Sequence, residues 1–362
     1  MTAVGDLETP ALVVDLDRVE HNIARVAAYA REHGLAVVPH AKTHKTEAIA
    51  RRQLHDGAAG LTVAKSSEAE AFAARGLGPL LVHYPSVGDA KARRLAEVAG
   101  AVGLTVALDS LAAATPLAAA MARRGVEADV LVEVDVGLHR TGVPAGDALA
   151  VARAVDALPG LRLVGISGYP GHARDADGGP AAAFATADAL LAQARDALLS
   201  AGLNSERVSG GSTSTALHAA RSSLTEVRPG NYVFLDRGDG RGDVWGPHDI
   251  ALTVVATVVS VAVSGRMVLD AGSKTLSEAA PPRGLTGAAE IVGAPEVEVV
   301  FVNEEHAVCD ITCSERAWAV GDRVRLIPNH ACTCVNLHDR LYAARGDEVV
   351  EELPLIARGA VR

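Results

Sequence analysis

Leu35-Ala36-Val37-Val38-Pro39-His40-Ala41-Lys42-Thr43-His44-Lys45 starts as a short apolar run and ends as a cluster of histidines and lysines. The apolar part reads as a buried strand. Upstream, Leu16, Val19, Ile23 and Val26 recur at helical spacing, and Gly34 stops that helix. Downstream the same rhythm returns in Gly60–Ala64, Pro79–His83, Leu104–Leu108, Val130–Val134, Leu161–Ile166, Arg207–Ser209 and Thr225–Val227, with Ala-rich helical stretches between. Continuous apolar runs separated by helices mark buried parallel strands. Eight such units predict a closed (β/α)8 barrel rather than an open doubly wound sheet.

After Asp236-Arg237-Gly238-Asp239-Gly240 the texture changes. Helical stretches vanish, β-branched runs appear from Ile250 to Val263, and Ser264-Gly265-Arg266 marks a turn. Glu296 to Val299 alternates polar and apolar, and Val324–Pro328 reads as another strand. The expected class is therefore α/β: a barrel over residues 12–238, and a C-terminal antiparallel β domain made of 239–362 together with 1–11.

The 362 residues, 49% apolar and 22% charged, are enough for both cores. Aromatics at 3% and a net charge of −10 argue against a nucleic-acid surface. The first residues carry no basic segment followed by an apolar run, and no apolar stretch is long enough to span a bilayer. Neither a nucleic acid nor a membrane is expected as a partner. The cysteines, Cys309, Cys313, Cys332 and Cys334, suit a reduced cytoplasmic protein better than a disulfide framework. Cys309, Cys313 and Cys334 read as small buried hydrophobes.

Barrel enzymes collect their functional groups at the C-terminal ends of the strands. Those ends carry His40, Lys42, His44 and Lys45, then His83 and Tyr84, Asp109, Asp135, His139 and Arg140, and Tyr169 and His172. Lys42, close behind an apolar strand, can face the barrel mouth and offer an amine for Schiff-base chemistry. Lys45 competes for that role, and a solvated strand-end lysine would look the same in sequence. Gly210-Gly211-Ser212-Thr213-Ser214-Thr215, ahead of a helix expected at Ala216–Ala220, offers backbone and hydroxyl donors to an anion. Arg228-Pro229-Gly230-Asn231-Tyr232 adds donors after the last strand, where barrels often seat phosphate. In the β domain His330 and Cys332 form an H-x-C pair. If extended, both face one side and can share a metal; a buried cysteine beside a capped histidine is the plainer alternative.

In this order the motifs resemble those of the D-threonine aldolase and D-serine dehydratase family, fold-type III pyridoxal phosphate enzymes related to alanine racemase. The resemblance rests on Pro39–Lys45, Val134–Gly142, Ser209–Thr215, Arg228–Tyr232, Leu269–Ser277, Asn303–His306 and Pro328–Cys332. It implies Lys42 as the Schiff-base lysine and Arg140 and Tyr169 near the cofactor ring. It implies Ser212, Thr213, Gly230, Asn231 and Tyr232 at the phosphate, and zinc or manganese on His330 and Cys332. The implied activity is a metal-assisted lyase on D-3-hydroxy amino acids, giving glycine and an aldehyde, and the implied assembly is a homodimer. The base at the 3-hydroxyl is left between His172 and a metal-bound water. A D-serine-type dehydratase, releasing a 2-oxo acid and ammonia, would use the same parts. A racemase, which needs no metal, and a non-catalytic carrier of the cofactor are the readings from other classes.

Overall fold

The computed structural model describes residues 2–362, which form two compact units. One comprises residues 23–230 with 359–362, the other residues 1–22 with 231–358.

The first unit contains the eight expected strands: Ala36–Val37, Leu61–Val63, Leu80–His83, Leu104–Leu108, Ala128–Glu133, Leu161–Ser167, Arg207–Gly210 and Glu226–Val227. From the second strand to the eighth each pairs in parallel with the next, and the eighth pairs with the first. Between the first and second strands the ring closes through single hydrogen bonds: Ala59 N–H to Val37 O, Thr62 N–H to Pro39 O, and Ala41 N–H to Thr62 O. The strands are short because the chain turns away wherever the apolar run gives way to polar mouth residues. Inside, Val38, Leu81, Leu131 and Val164 pack as one buried cluster, so the barrel is a filled core and not a pore. Close approach of strands six and seven demands glycine at 165. A Cβ there would lie 1.8 Å from the Arg207 carbonyl oxygen.

The second unit is built on a smaller closed barrel. Leu252–Ser260, Arg266–Leu269, Ala307–Asp310, Glu298–Val302, Ala289–Ile291 and Arg323–Pro328 pair antiparallel in that order, and the last pairs back to the first. Ala11–Asp15 extends this sheet against Leu252–Val255, Arg340–Arg345 pairs on its other side, and Glu348–Pro354 pairs with Arg340–Arg345. Ala11–Asp15 pairs with the β sheet, while the compact unit that holds the eight parallel strands spans 23–230 with 359–362. Helices do not vanish after 236, since Ser273–Leu276 and Ala331–Val335 each form a single short helix. The pairing of Ala11–Asp15 with Arg340–Arg345 is parallel, an exception to the otherwise antiparallel domain. Among the described residues no helix is long and apolar enough to cross a membrane. Cys309 and Cys334 are buried and Cys313 is exposed, contrary to its expected burial. Burial pushes the Cys309 thiol up to about 12.

Candidate active site

At the C-terminal end of the large barrel lies a cavity of about 370 Å³, within the range of small-molecule sites. His40 and Lys42 enter it from behind the first strand, Ala64 from the second, and His83, Tyr84 and Pro85 from the third. Arg140 and Thr141 follow the fifth strand, Tyr169 the sixth, and Arg228 the eighth. The lining therefore holds three permanent or usual cations and no carboxylate. Lys42 Nζ stands 5.5 Å from the centre of the Tyr169 ring, and the Arg140 guanidinium 5.0 Å from it. Tyr169 thus lies within about 5.5 Å of both cations the sequence singled out.

The competing lysine is held elsewhere. Lys45 is buried, adopts φ 52°, and its Nζ pairs with Glu68 Oε1 at 3.2 Å. The choice between Lys42 and Lys45 thus comes down to placement: one lines the cavity and the other is locked in a buried ion pair.

The histidines of the cavity are neutral. Burial, reinforced by Lys42, pushes His40 well below its ordinary value, and burial with Arg228 and Lys42 does the same to His83. Burial also lowers Arg228 to about 10, opposed by Glu226 and Glu133, so its guanidinium stays charged at neutral pH. The Lys42 N–H donates to His40 Nδ1 at 3.4 Å, which places the proton of that ring on Nε2.

Several polar atoms at this end of the barrel are buried without a hydrogen-bond partner: His83 Nε2, Glu133 Oε2, Ser167 Oγ, Ser209 Oγ and Arg228 Nε. Folded proteins rarely leave such groups unpaired except where a ligand or water completes them. The glycines agree. A Cβ at Gly230 would approach His40 Cβ at 3.1 Å and Thr43 Oγ1 at 3.2 Å, and one at Gly210 would lie 2.7 Å from Leu224 Cδ2. Gly211, at φ +78°, turns the backbone of the same loop. Cationic walls, bare turns and unpaired donors fit a phosphorylated aromatic aldehyde.

Other expected residues sit as follows. Ser212 and Thr213 are buried in the turn after the seventh strand. Ser212 N–H donates to Thr215 Oγ1 at 2.8 Å, and the Ser212, Ser214 and Thr215 hydroxyls lie 3.0–3.1 Å apart. The helix expected at Ala216–Ala220 is only a 3-10 turn, Ala216–His218, so the loop offers local donors and no helix dipole. Asn231 and Tyr232 belong to the β unit. The Asn231 carboxamide donates to Asp236 at 2.8 Å and to Asp239 at 2.7 Å, which leaves its side chain no N–H for an anion. Tyr232 is among the most deeply buried side chains. His172 does not line the cavity. Its ring packs on the loop after the fifth strand, where a Cβ at Gly137 would come within 3.1 Å of it, and its Nδ1 is buried without a partner.

In the β unit, His330 and Cys332 do meet, but not along an extended strand. His330 is the extended residue before the helix Ala331–Val335, and Cys332 lies in its first turn. Asp236, fully buried, accepts from His330 Nδ1 at 3.0 Å, from the Ala331 N–H at 3.0 Å, and from Asn231. That bond fixes the imidazole so that Nε2 is the atom left for a cation. The charge of the Cys332 thiolate, with the Asp236 hydrogen bond, raises His330 to about 11. An imidazole and a thiolate competing for one proton are a donor pair suited to a metal of borderline softness. Among the described residues no three His, Cys, Asp or Glu side chains converge as a metal cluster. Asp236 was read in sequence only as part of a boundary turn. Its partners lie 94 and 95 positions away, and no local signal reveals them.

A closed (β/α)8 barrel with a lysine at its mouth, followed by a β domain, is the architecture of alanine racemase-like pyridoxal phosphate enzymes. Residues 14–238 match the family described as alanine racemase, N-terminal domain, and 251–344 match the putative serine dehydratase domain. The chain belongs to this family of pyridoxal phosphate enzymes, in its D-serine dehydratase-like branch.

Within that branch it is 36% identical to the D-threonine aldolase of Arthrobacter sp, over 98% of this chain and 94% of that protein. It is 32% identical to the 3-hydroxy-D-aspartate aldolase of Paracoccus denitrificans (strain Pd 1222), over 98% and 93%. The solved D-threo-3-hydroxyaspartate dehydratase from Delftia sp. HT23 superposes with a TM-score of 0.90 at 32% identity, covering 98% of this chain and 99% of that one. Solved forms of that dehydratase include one with a histidine changed to alanine and a metal-free one with a cysteine, two positions further on, changed to alanine.

Proposed function

We propose that this protein is a pyridoxal phosphate- and divalent metal-dependent lyase that cleaves the Cα–Cβ bond of D-3-hydroxy amino acids to glycine and an aldehyde. What supports this reading most is the H-x-C pair backed by a buried carboxylate, in a chain whose barrel mouth keeps Lys42 in a carboxylate-free pocket. Neither a racemase nor a simple carrier of the cofactor has a use for the first of these features. Relatives named as aldolases match over nearly the full length.

When bound, pyridoxal phosphate supplies an electron sink for the pair released at Cα. Zinc or manganese on His330 and Cys332 would supply a Lewis acid that lowers the pKa of the 3-hydroxyl. Lys42 would hold the cofactor through its side-chain amine. Ser212, Thr213 and Gly230 would seat the phosphate. Arg140, 5.0 Å from the centre of the Tyr169 ring, would lie near the cofactor ring, and buried Arg228 has an unpaired Nε–H to offer it. Neutral His40 and His83 close the floor without adding charge. Either His172, whose ring packs against Gly137 outside the cavity lining, or a water would accept the hydroxyl proton. Two copies of the chain form the working assembly, in the cytoplasm.

Incubation with D-threonine tests the reaction. Glycine plus acetaldehyde in equal amounts is the expected result, and 2-oxobutyrate plus ammonia would replace the aldolase with the dehydratase. Activity that survives exhaustive chelation would sink the metal-dependent reading.

A further inference from the structure

At neutral pH an amino acid carries its amine as an ammonium. An ammonium cannot bond to the carbonyl carbon of the cofactor until it loses a proton. The cavity lining offers little to receive one. Lys42, Arg140 and Arg228 are cations, and Tyr84 and Tyr169 are phenols. His40 and His83 have the right chemistry, but burial, helped by Lys42 and Arg228, holds both rings well below their ordinary value.

Thr141 is different. It lines the cavity beside Arg140, and its hydroxyl donates to Glu133 Oε1 at 2.7 Å. With that proton committed, the oxygen keeps its lone pairs for a donor in the cavity. Glu133 is the last residue of the fifth strand and is buried, and its second oxygen, Oε2, has no hydrogen-bond partner. The backbone holds the pair in place. Val143 N–H donates to Glu133 O at 3.0 Å, Asp135 N–H to Val143 O at 2.8 Å, and Gly142 N–H to Asp109 Oδ2 at 3.1 Å. Gly142, at φ +98°, lets the turn close: a Cβ there would lie 2.6 Å from the Asp135 nitrogen. Burial raises the Glu133 carboxyl above its ordinary value. The Thr141 bond, Arg228 and Arg140 oppose that rise, and Asp109 adds to it. A carboxylate so placed takes up a proton more readily than one in water.

We propose that Thr141 and Glu133 form a relay that deprotonates the incoming substrate amine. The ammonium gives a proton to Thr141 Oγ1 as the Thr141 hydroxyl proton passes to Glu133 Oε1. A neutral amine, an intact threonine and a carboxylic acid result. The proton returns along the same path when the product amine leaves. Thr141 is the catalytic residue, in contact with the substrate, and Glu133 acts through it. The relay rests on the reading of Lys42 as the seat of the cofactor. It does not depend on which substrate bond then breaks.

D-alanine tests it, because it lacks the 3-hydroxyl and still brings an amine to the cofactor. Mixing the pyridoxal phosphate-loaded protein with D-alanine should change the cofactor absorbance. The rate of that change is read near pH 7 and again near pH 9.5, where free amine is abundant without help. Thr141→Val and Glu133→Gln should each slow it roughly 100-fold near pH 7, the lower end of general-base assistance, and far less at the higher pH. Thr141→Ser should recover most of the rate lost in Thr141→Val. The affinity of the cofactor-free variants for pyridoxal phosphate, read by equilibrium dialysis, should stay close to that of the wild type. Thr141→Val decides alone if the buried Glu133→Gln fails to fold. Variants as fast as the wild type near pH 7, or slowed equally at both pH values, overturn the relay. A wild type that takes up no pyridoxal phosphate sinks the cofactor reading and the relay with it; one that takes it up but fails the comparison sinks the relay alone.

Discussion

Replacing Lys45 by methionine removes one side of an ion pair whose atoms stand 3.2 Å apart, with side-chain exposures of 7% and 3%. Breaking a buried pair from one side leaves the other charge without its partner, at a cost of about 3–5 kcal/mol. Glu68 keeps two backbone N–H donors on its other oxygen, which places the loss near ~3 kcal/mol. For a unit of this size that is a fall in melting temperature of about 6–12 °C. The absorbance band of the cofactor, measured on the same sample after saturation with pyridoxal phosphate, should persist. Lys42→Ala should do the reverse: the band of the covalent adduct disappears, and the melting temperature of the cofactor-free protein moves by less than 2 °C, roughly the effect of an unpaired surface substitution. Differential scanning calorimetry of the cofactor-free proteins and one spectrum of each loaded protein complete the comparison. A Lys45→Met variant that melts like the wild type but has lost the band would refute the division of labour between the two lysines.

Other expectations follow from the same structure. Asp236→Asn leaves a weaker acceptor behind His330 and should reduce metal affinity by roughly 10–100-fold, read by competition with a chromogenic chelator; an unchanged affinity would mean that His330 is not a ligand. Gly165→Ala would drive a Cβ to 1.8 Å from a carbonyl oxygen in the adjoining strand, so the barrel should not form and the protein should be recovered only as aggregate. Acid should destabilise the cofactor-free barrel through its buried imidazoles. Burial lowers His44 to about 4, so between its unfolded value near 6.5 and that pH only the unfolded chain takes the proton. Stability from this group is full above ~6.5 and falls by about 3 kcal/mol as the pH drops to 4. His40 and His83 act in the same direction. A flat melting temperature from pH 7 to 5 would contradict the burial of these rings.

The eight strands were legible because parallel strands buried on both faces leave long apolar runs that need no tertiary information to be seen. The motif order carried the family for a similar reason, since Lys42 and the two donor turns are local segments with local signatures. Reading stopped where function depends on residues distant in sequence. Ala11–Asp15 looks like any apolar strand, and only its pairing with Leu252–Val255 assigns it to the β sheet. The segment after Thr215 has helical composition, yet Thr215 binds back to Ser212 and the chain makes a single 3-10 turn. Asn231 carries the right amide for an anion, but two carboxylates reach it first.

The sequence by itself determined the barrel, the β domain, the family and the short list of groups with the chemistry to act. Those follow from periodicity and from residue type, which are properties of neighbouring positions. Only the tertiary structure put Lys42 in the cavity and Lys45 in a buried ion pair, and placed Asp236 behind His330. In each case the deciding quantity is which charges come within a few ångströms of one another. Coulombic and hydrogen-bond energies fall off with distance in space, and separation along the chain says nothing of that distance until the fold has closed.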